Sequence, residues 1–524
     1  MSAFNIKIDG RTVEVSPGDS VLAAARKLGI DIPTLCYLEK CGPLNSCLVC
    51  LVKIKGKFVP SCGVKVEPGM VVESETNEIH EARRTALELL FSDHVGDCLS
   101  PCHRLCPLRM NIPVMLRQVQ AGRLQEAIIT VKEALPLAGV LGRLCHHPCE
   151  QGCRRANWDD PAAIREIERR VADEDLAMGT PWLPPRKPFT GKSVAIVGAG
   201  PTGLAASHSL LRQGHAATLV DRHLSAGGSL RVELGNKTVP QEIFTAELKQ
   251  LEKLGAQFKL GISLGKEVTV EGLLRGFDAV IVAIGEISKE EGEALGFDMV
   301  QTGIKVNPET YQTPHPAVFA AGRATRTMNQ LVRAMSDGVG AAECIDQFLM
   351  GNLVQRRARP FSNIMGRIEK EELDVFMRGA DLVGRTHPCD LCAGFSGKQA
   401  ATEASRCLHC DCRASGNCAL QSYAQIYEVD ANRFRQPRRK FSQQEQPGGI
   451  IFEPGKCIRC GICVKLAEMA QEPLGLTFIG RGFDVIVGAP FNRTIQEGLQ
   501  KAGRECVEHC PTGALSLSAN TLAH

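Results

Sequence analysis

Residues 192–203 read KSVAIVGAGPTG, an apolar strand running straight into a Gly-x-Gly-x-x-Gly turn, with an apolar helical stretch behind it. Each glycine meets a steric need of dinucleotide binding. Gly198 makes the tight turn, Gly200 admits a pyrophosphate to the backbone, and Gly203 lets helix and strand pack closely. The helix start offers free N–H groups and the positive end of its dipole to the phosphates. A second strand, Ala217–Val220, ends in Asp221, placed to accept from a ribose hydroxyl. Strand, glycines, helix, strand and acid in that order predict a Rossmann-like dinucleotide domain. Its candidate contacts are Gly198, Gly200, Pro201, Gly203 and Asp221.

Around this turn lie 23 cysteines in a chain of 524 residues. Length predicts three or four domains, and an apolar content of 44% with 23% charged residues is ordinary for a soluble globular protein. A net charge of +3 gives no reason to expect nucleic acid or an anionic membrane as partner. The basic stretch Arg433–Lys440 reads as a solvated linker. Residues 1–10 lack the layout of a signal peptide, and no run approaches the ~18 apolar residues of a membrane span. A reducing, cytoplasmic setting follows, where so many thiols read as metal ligands rather than disulfides.

Residues 4–15 alternate apolar and polar about Asp9–Gly10, which predicts a β-hairpin. Val21–Leu28 predicts a short helix capped by Asp19 or Ser20. Then comes Cys36-x10-Cys47-x2-Cys50-x11-Cys62. Four thiolates suit a [2Fe–2S] cluster, the Cys-x-x-Cys pair letting one tight loop hold one iron; zinc is the alternative. Cys41 falls outside the pattern. This segment resembles the N-terminal β-grasp ferredoxin domain of the large peripheral Fe–S subunit of respiratory complex I and of its hydrogenase relatives. There the matching four cysteines bind [2Fe–2S].

Residues 81–175 predict helices, with apolar positions at helical spacing in 114–119 and 124–135. His94-x3-Cys98-x3-Cys102-x3-Cys106-Pro precedes them and Cys145-x3-Cys149-x3-Cys153 follows. Six cysteines fall short of the eight ligands that two [4Fe–4S] cubanes want. The arrangement resembles the N-terminal Fe–S domain of the glutamate synthase small subunit and of dihydropyrimidine dehydrogenase. That resemblance implies one cubane on Cys98, Cys102 and Cys153, and another on Cys106, Cys145 and Cys149. Glu168 then occupies the place of the family's carboxylate or amide ligand. The family's leading cysteine is absent, and His94 is the nearest substitute; complex I uses a histidine in a similar His-x3-Cys setting.

A proline-rich linker, 181–190, leads into the dinucleotide domain. Two later stretches, DAVIVAIG (278–285) and VFAAGR (318–323), resemble the remaining FAD-contacting motifs of glutathione-reductase-like flavoproteins. They add Gly285, Gly322 and Arg323 as candidate contacts, and Gly228, after the second strand, is a further one. That family inserts an NAD(P)H domain between the two motifs, whereas here only residues 286–317 intervene, too few for a pair of βαβ units. The resemblance therefore implies FAD kept and the pyridine-nucleotide domain lost. Gly322-Arg323 departs from the family's Gly-Asp, whose Asp holds the ribityl chain; an arginine there suits a phosphate. The stretch after Gly227-Gly228 departs as well.

Cys389-x2-Cys392-x14-Cys407-x2-Cys410, then Cys412 and Cys418, fit either structural zinc or a further [4Fe–4S]. After a polar linker, 442–449, come Cys457-x2-Cys460-x2-Cys463 and later Cys506-x3-Cys510-Pro511. In bacterial two-cluster ferredoxins, which this segment resembles, the fourth cysteine of each run serves the other cluster. Ala467, Gln500 and Gly503 stand where one cluster's ligands belong, so that site is lost. The other keeps Cys457, Cys460, Cys463 and Cys510, and Cys506 is a stranded survivor.

The whole predicts a multidomain α+β and α/β protein: a β-grasp [2Fe–2S] domain (1–80), a helical two-cluster domain (81–180), an FAD-binding Rossmann-like domain (181–352), a Cys-rich segment (353–440) and a ferredoxin-like domain (441–524). The expected cofactors are FAD, one [2Fe–2S] and three [4Fe–4S], with a fourth if the 389–418 group holds iron. No acid, base or nucleophile constellation stands out. The expected role is an electron-transfer subunit of a larger cytoplasmic oxidoreductase. By resemblance its partners are an NADH-binding flavoprotein subunit, a formate dehydrogenase, hydrogenase or aldehyde oxidoreductase-like module, or both. The alternatives are a self-sufficient NAD(P)H-dependent reductase like the glutamate synthase small subunit and a zinc-binding scaffold.

Overall fold

The computed structural model describes residues 3–235, 238–390, 393–445 and 449–517. The chain packs as two compact units, neither of them a single stretch. The first takes Met1–Ser100, Pro360–Arg378 and Cys410–His524; the second takes Pro101–Arg359 and Gly379–His409.

In the first unit the alternating segment 4–15 forms a hairpin, Phe4–Ile8 against Arg11–Val15, turned at Asp9 and Gly10 with positive φ at both. Two positive φ values are what a two-residue turn needs to match the strand twist. Val71–Glu73 adds in parallel beside Phe4–Ile8, and Leu51–Ile54 with Lys57–Pro60 completes a five-stranded sheet. Helix Val21–Lys27 lies on that sheet's apolar side; its N-cap is Ser20, whose Oγ accepts from Ala23 N at 3.1 Å. A longer helix, Asn77–Phe91, packs on strand Leu51–Ile54 and on helix Ala419–Ile426. The C-terminal part is a small three-stranded sheet, with Ile450–Phe452 between Gln444–Glu445 and Leu515–Leu517, beside helices Ile462–Met469 and Gly503–Glu508.

Residues 433–440 are not a solvated linker. Arg433 pairs with Glu81 and Glu88, Arg439 with Asp93, and Arg438 with buried Glu372, which also accepts from Phe441 N. Burial opposes the Glu372 carboxylate, but the Arg438 guanidinium and two backbone N–H groups hold its pKa down to about 2. The charge run is a clamp that fastens this stretch to two helices, Asn77–Phe91 and Lys370–Met377.

The second unit joins a helical layer to a five-stranded parallel sheet. The sheet order places Ser193–Val197 at the centre, flanked by Ala216–Asp221 then Gln257–Leu260, and by Ala279–Val282 then Val318–Ala320. Four of these strands are buried almost throughout and read as near-continuous apolar runs, while the edge strand Gln257–Leu260 leaves Gln257 and Lys259 exposed. Helix Pro201–Arg212 follows the glycine turn and packs tightly against Leu331–Leu349. Between the second and third FAD-like motifs lie only the helix Lys289–Ala294 and a minimal hairpin, Met299–Val300 with Gly303–Ile304.

Candidate functional site

The carboxyl ends of the parallel strands open on a cavity of about 630 Å³, within the range of cofactor pockets. Gly198, Gly200, Pro201, Asp221, Gly228, Gly285 and Arg323 all line it. Gly200 and Gly228 face each other so closely that a Cβ on Gly228 would stand 2.8 Å from Gly200 Cα. Any side chain there fills the cradle a pyrophosphate needs. Gly203 and Gly322 act behind the wall: a Cβ on Gly203 would meet Gly198 O at 1.9 Å, and one on Gly322 would meet Thr202 Oγ1 at 2.3 Å. Asp221 is already engaged, accepting from Ala199 N at 2.7 Å and from His223 N at 2.8 Å. It holds the glycine turn against the second strand as well as lining the cavity. Arg323 is ion-paired with Glu286 at the rim.

The four N-terminal cysteines are buried and form two pairs. Cys36 Sγ accepts from Cys47 N at 3.4 Å, while Cys50 and Cys62 bring their sulfurs to 3.4 Å. The Cys47-x-x-Cys50 loop therefore does not close on itself, as its spacing suggested; each member goes to a partner outside the loop. Two thiol pairs side by side suit a two-iron core. Hydrogen bonding from Cys47 lowers the Cys36 pKa to about 5, and from Cys62 lowers the Cys50 pKa to about 6, with the partner raised in each pair.

At the C-terminal end Cys457, Cys460, Cys463 and Cys510 line one cavity, with Cys506 in the same wall. Arg459 N donates to Cys457 Sγ at 3.4 Å and Leu515 N to Cys510 Sγ at 3.5 Å, the kind of N–H···S contact that tunes clusters. Cys506 Sγ instead donates to Cys463 O at 3.7 Å.

A third site was hidden in the sequence. His94, Cys98, Cys412 and Cys418 line one small cavity. Cys412 N donates to Cys98 O at 3.2 Å, and buried Asn363 fixes the other side, donating from N to Cys98 Sγ at 3.4 Å and from Nδ2 to His94 O and Gly96 O. His94 Nδ1 is buried without a hydrogen-bond partner. Burial, then the Lys456 ammonium, lowers its pKa to about 4, so the ring is neutral and a ring nitrogen is free to ligate. Burial raises Cys98 and Cys418 to about 12 each; a bound metal centre is what makes thiolates tenable there. The structure thus places Cys98, Cys412 and Cys418, all of the first unit, around one cavity; the family resemblance implied Cys98 with Cys102 and Cys153, which belong to the second unit.

Within the second unit Cys106, Cys145, Cys149 and Glu168 are mutual neighbours, the carboxyl acting on all three thiols. Burial raises Glu168 to about 8. Cys102 is buried in the same apolar core, and Cys153 and Cys407 pack against it. Cys407 is carried there by helix Gly397–Ala404, which rests on Ile112–Gln120 and Ile164–Ala177. Cys389 is exposed, Cys392 lies outside the described residues, and Cys410 is half-buried at the start of the first unit's last segment. Among the described residues no three His, Cys, Asp or Glu side chains converge on one point as ligands of a single ion do.

The three first-unit sites share one apolar core, which contains Cys36, Cys47, Cys418, Cys460 and Cys506. Ser46, in the N-terminal cysteine loop, donates to Cys460 O at 3.3 Å. Thr512 lines both the C-terminal cavity and the His94 cavity, and Cys418 Sγ donates to Pro511 O at 3.6 Å.

Three domain families match parts of the chain. Residues 2–77 match the 2Fe-2S iron-sulfur cluster binding domain, residues 74–180 the dihydropyrimidine dehydrogenase domain II with its 4Fe-4S cluster, and residues 164–338 the pyridine nucleotide-disulphide oxidoreductase domain. The chain is 36% identical over 231 residues to the NADP(+)-dependent formate dehydrogenase subunit beta of Moorella thermoacetica, a match covering 39% of this chain and 33% of that protein. It is 30% identical over 296 residues to the NADPH-Fe(3+) oxidoreductase subunit beta of Geobacter sulfurreducens, covering 54% and 42%. It is 36% identical over 198 residues to the NADPH glutamate synthase small chain of Mycobacterium tuberculosis, covering 37% and 40%. These matches span a third to under half of each of those relatives. The chain therefore carries a [2Fe–2S] domain, a [4Fe–4S] domain and a flavoprotein domain, and its cofactors are [2Fe–2S], [4Fe–4S] and FAD. Among the described residues no helix is long and apolar enough to cross a membrane.

Proposed function

We propose that this chain is the electron-relay subunit of a multi-subunit oxidoreductase, linking an NADH- or ferredoxin-linked module to a catalytic partner. The observation that carries this reading is the shared wall of the three first-unit sites, joined through Ser46 on one side and Thr512 on the other. Cys36, Cys47, Cys50 and Cys62 hold the [2Fe–2S] cluster; Cys457, Cys460, Cys463 and Cys510 hold the middle cubane; His94, Cys98, Cys412 and Cys418 hold the third centre. In the second unit Cys106, Cys145, Cys149 and Glu168 hold one cubane, and Cys102, Cys153 and Cys407 supply ligands to another. When bound, the clusters supply one-electron transfer and the flavin links it to two-electron chemistry. Everything else the chain contributes is positioning: buried thiols, N–H groups aimed at sulfur, and a glycine cradle for the flavin's pyrophosphate. The formate dehydrogenase and NADPH-Fe(3+) oxidoreductase beta subunits among its relatives support a partner of that kind.

The test is an anaerobic titration of the purified chain with its clusters reconstituted. One two-iron and four four-iron clusters give about 18 irons per chain. Dithionite bleaches the flavin and the clusters, whereas NADH and NADPH do not, because residues 286–317 hold only a short helix and a hairpin. Rapid bleaching by either nucleotide makes the chain a self-sufficient reductase instead. Fewer than about ten irons overturns the inventory.

A further inference from the structure

A buried ammonium sits where two of these loops meet. Lys456, immediately before Cys457, is 3% exposed and ion-paired with Glu453, which is equally buried. Its stem lies on the backbone of Gly96: a Cβ built there, at φ +144°, would stand 2.7 Å from Lys456 Cε. The two loops are zipped together around it. Val95 N donates to Gly455 O at 2.7 Å, and a Cβ on Gly455 would stand 2.7 Å from Val95 Cβ. On the other side Glu453 N donates to Ala514 O at 2.8 Å, next to the Thr512 segment that walls both cavities.

Burying an ammonium is costly even when paired, and an apolar side chain of the same length fills such a space without that cost. The charge therefore calls for a purpose beyond packing. Lys456 acts on His94 and Cys98 and is acted on by Cys412, three of the four candidate ligands at one site; Arg413 is the other charge that faces it beside Glu453. Net charge and local electrostatics are among the factors that set cluster potentials, and a low-dielectric interior strengthens them.

We propose that Lys456 sets the potential of the His94–Cys98–Cys412–Cys418 centre and, through the adjoining Cys457 loop, of its neighbour. The inference rests on the cluster reading above. A fixed positive charge beside the His94 centre, and one residue before Cys457 of the next, favours the form of each that carries one more electron, and so raises both midpoints. Lys456 is a positioning residue for charge; it ligates nothing.

The experiment is an EPR-monitored redox titration of the full reconstituted chain, with iron content measured alongside. Lys456→Met keeps its iron and both signals but shifts both midpoints to more negative values, the His94 centre furthest. Lys456→Arg restores them to the wild-type values. Glu453→Gln, which removes the counter-charge and keeps the lysine, shifts them the opposite way. Signals present with unmoved midpoints in Lys456→Met overturn the inference. If that variant loses iron, an unmoved midpoint in Glu453→Gln overturns it in the same way. Failure of the cluster reading is separate: His94→Ala then leaves the wild-type spectrum unchanged.

Discussion

Gly200→Val strips the flavin from this chain and leaves its iron in place. The backbone at Gly200 is extended, with φ −84° and ψ −175°, so a valine adopts it without strain and the turn survives. What changes is the space in front. A Cβ at Gly200 points at Gly228 Cα from 3.7 Å, across the gap where the two glycines bring their backbones together. The two methyl groups of valine occupy that gap, and a pyrophosphate needs the backbone itself there. The expected loss is at least a hundredfold in flavin affinity, about 2.7 kcal/mol. Gly203 makes a poorer test, because its Cβ would strike Gly198 O at 1.9 Å and damage the sheet–helix packing. The readout is the flavin-to-protein ratio after gel filtration, with iron measured on the same sample. Unchanged flavin occupancy means that the cradle does not hold a dinucleotide.

The glycine turn was legible because every element of it is local. Strand, turn, helix and acid lie within thirty residues, and their period and steric demands are written in order. The same holds for the N-terminal hairpin and for Cys457–Cys463. What the sequence hid is contact at long range. Cys98 looks like the start of a regular Cys-x3-Cys-x3-Cys run, yet the chain leaves the first unit between Ser100 and Pro101 and returns for its last segment at Cys410. The residues that complete the Cys98 environment are Asn363, Cys412 and Cys418. Nothing in their local spacing announces that, and Cys389–Cys418 reads as one cysteine-rich group, whereas Cys407 belongs to the second unit and Cys410, Cys412 and Cys418 to the first. Charge patterning misled in a similar way. Arg433–Lys440 has the composition of a solvated segment, but Glu81, Glu88, Asp93 and Glu372, from elsewhere in the sequence, turn its arginines into fixed partners. Even the Cys47-x-x-Cys50 pair is parted by tertiary contacts, since Cys36 and Cys62 each take one member.

Cys98→Ala and Cys418→Ala abolish the same low-temperature EPR signal. Each costs about four irons per chain, and the double variant loses no more than either single one. Such non-additivity is the mark of groups acting as a unit. The two residues have no local relation; only the folded first unit brings them to one cavity with His94 and Cys412. Alanine at Cys98 leaves Asn363 N without its sulfur acceptor, but Asn363 keeps its hydrogen bonds to His94 O and Gly96 O, so the loop holds its shape and the loss is confined to the metal centre. Cys460→Ala supplies the contrast, removing a different signal because its sulfur belongs to the next cavity. The rival grouping makes the opposite forecast. If Cys98 shares a cubane with Cys102 and Cys153, Cys98→Ala is non-additive with Cys153→Ala, and its iron loss adds to that of Cys418→Ala. Cys98→Ala combined in turn with Cys418→Ala and with Cys153→Ala therefore decides whether the chain carries its third centre across the two ends of its own insertion or within a contiguous cysteine run.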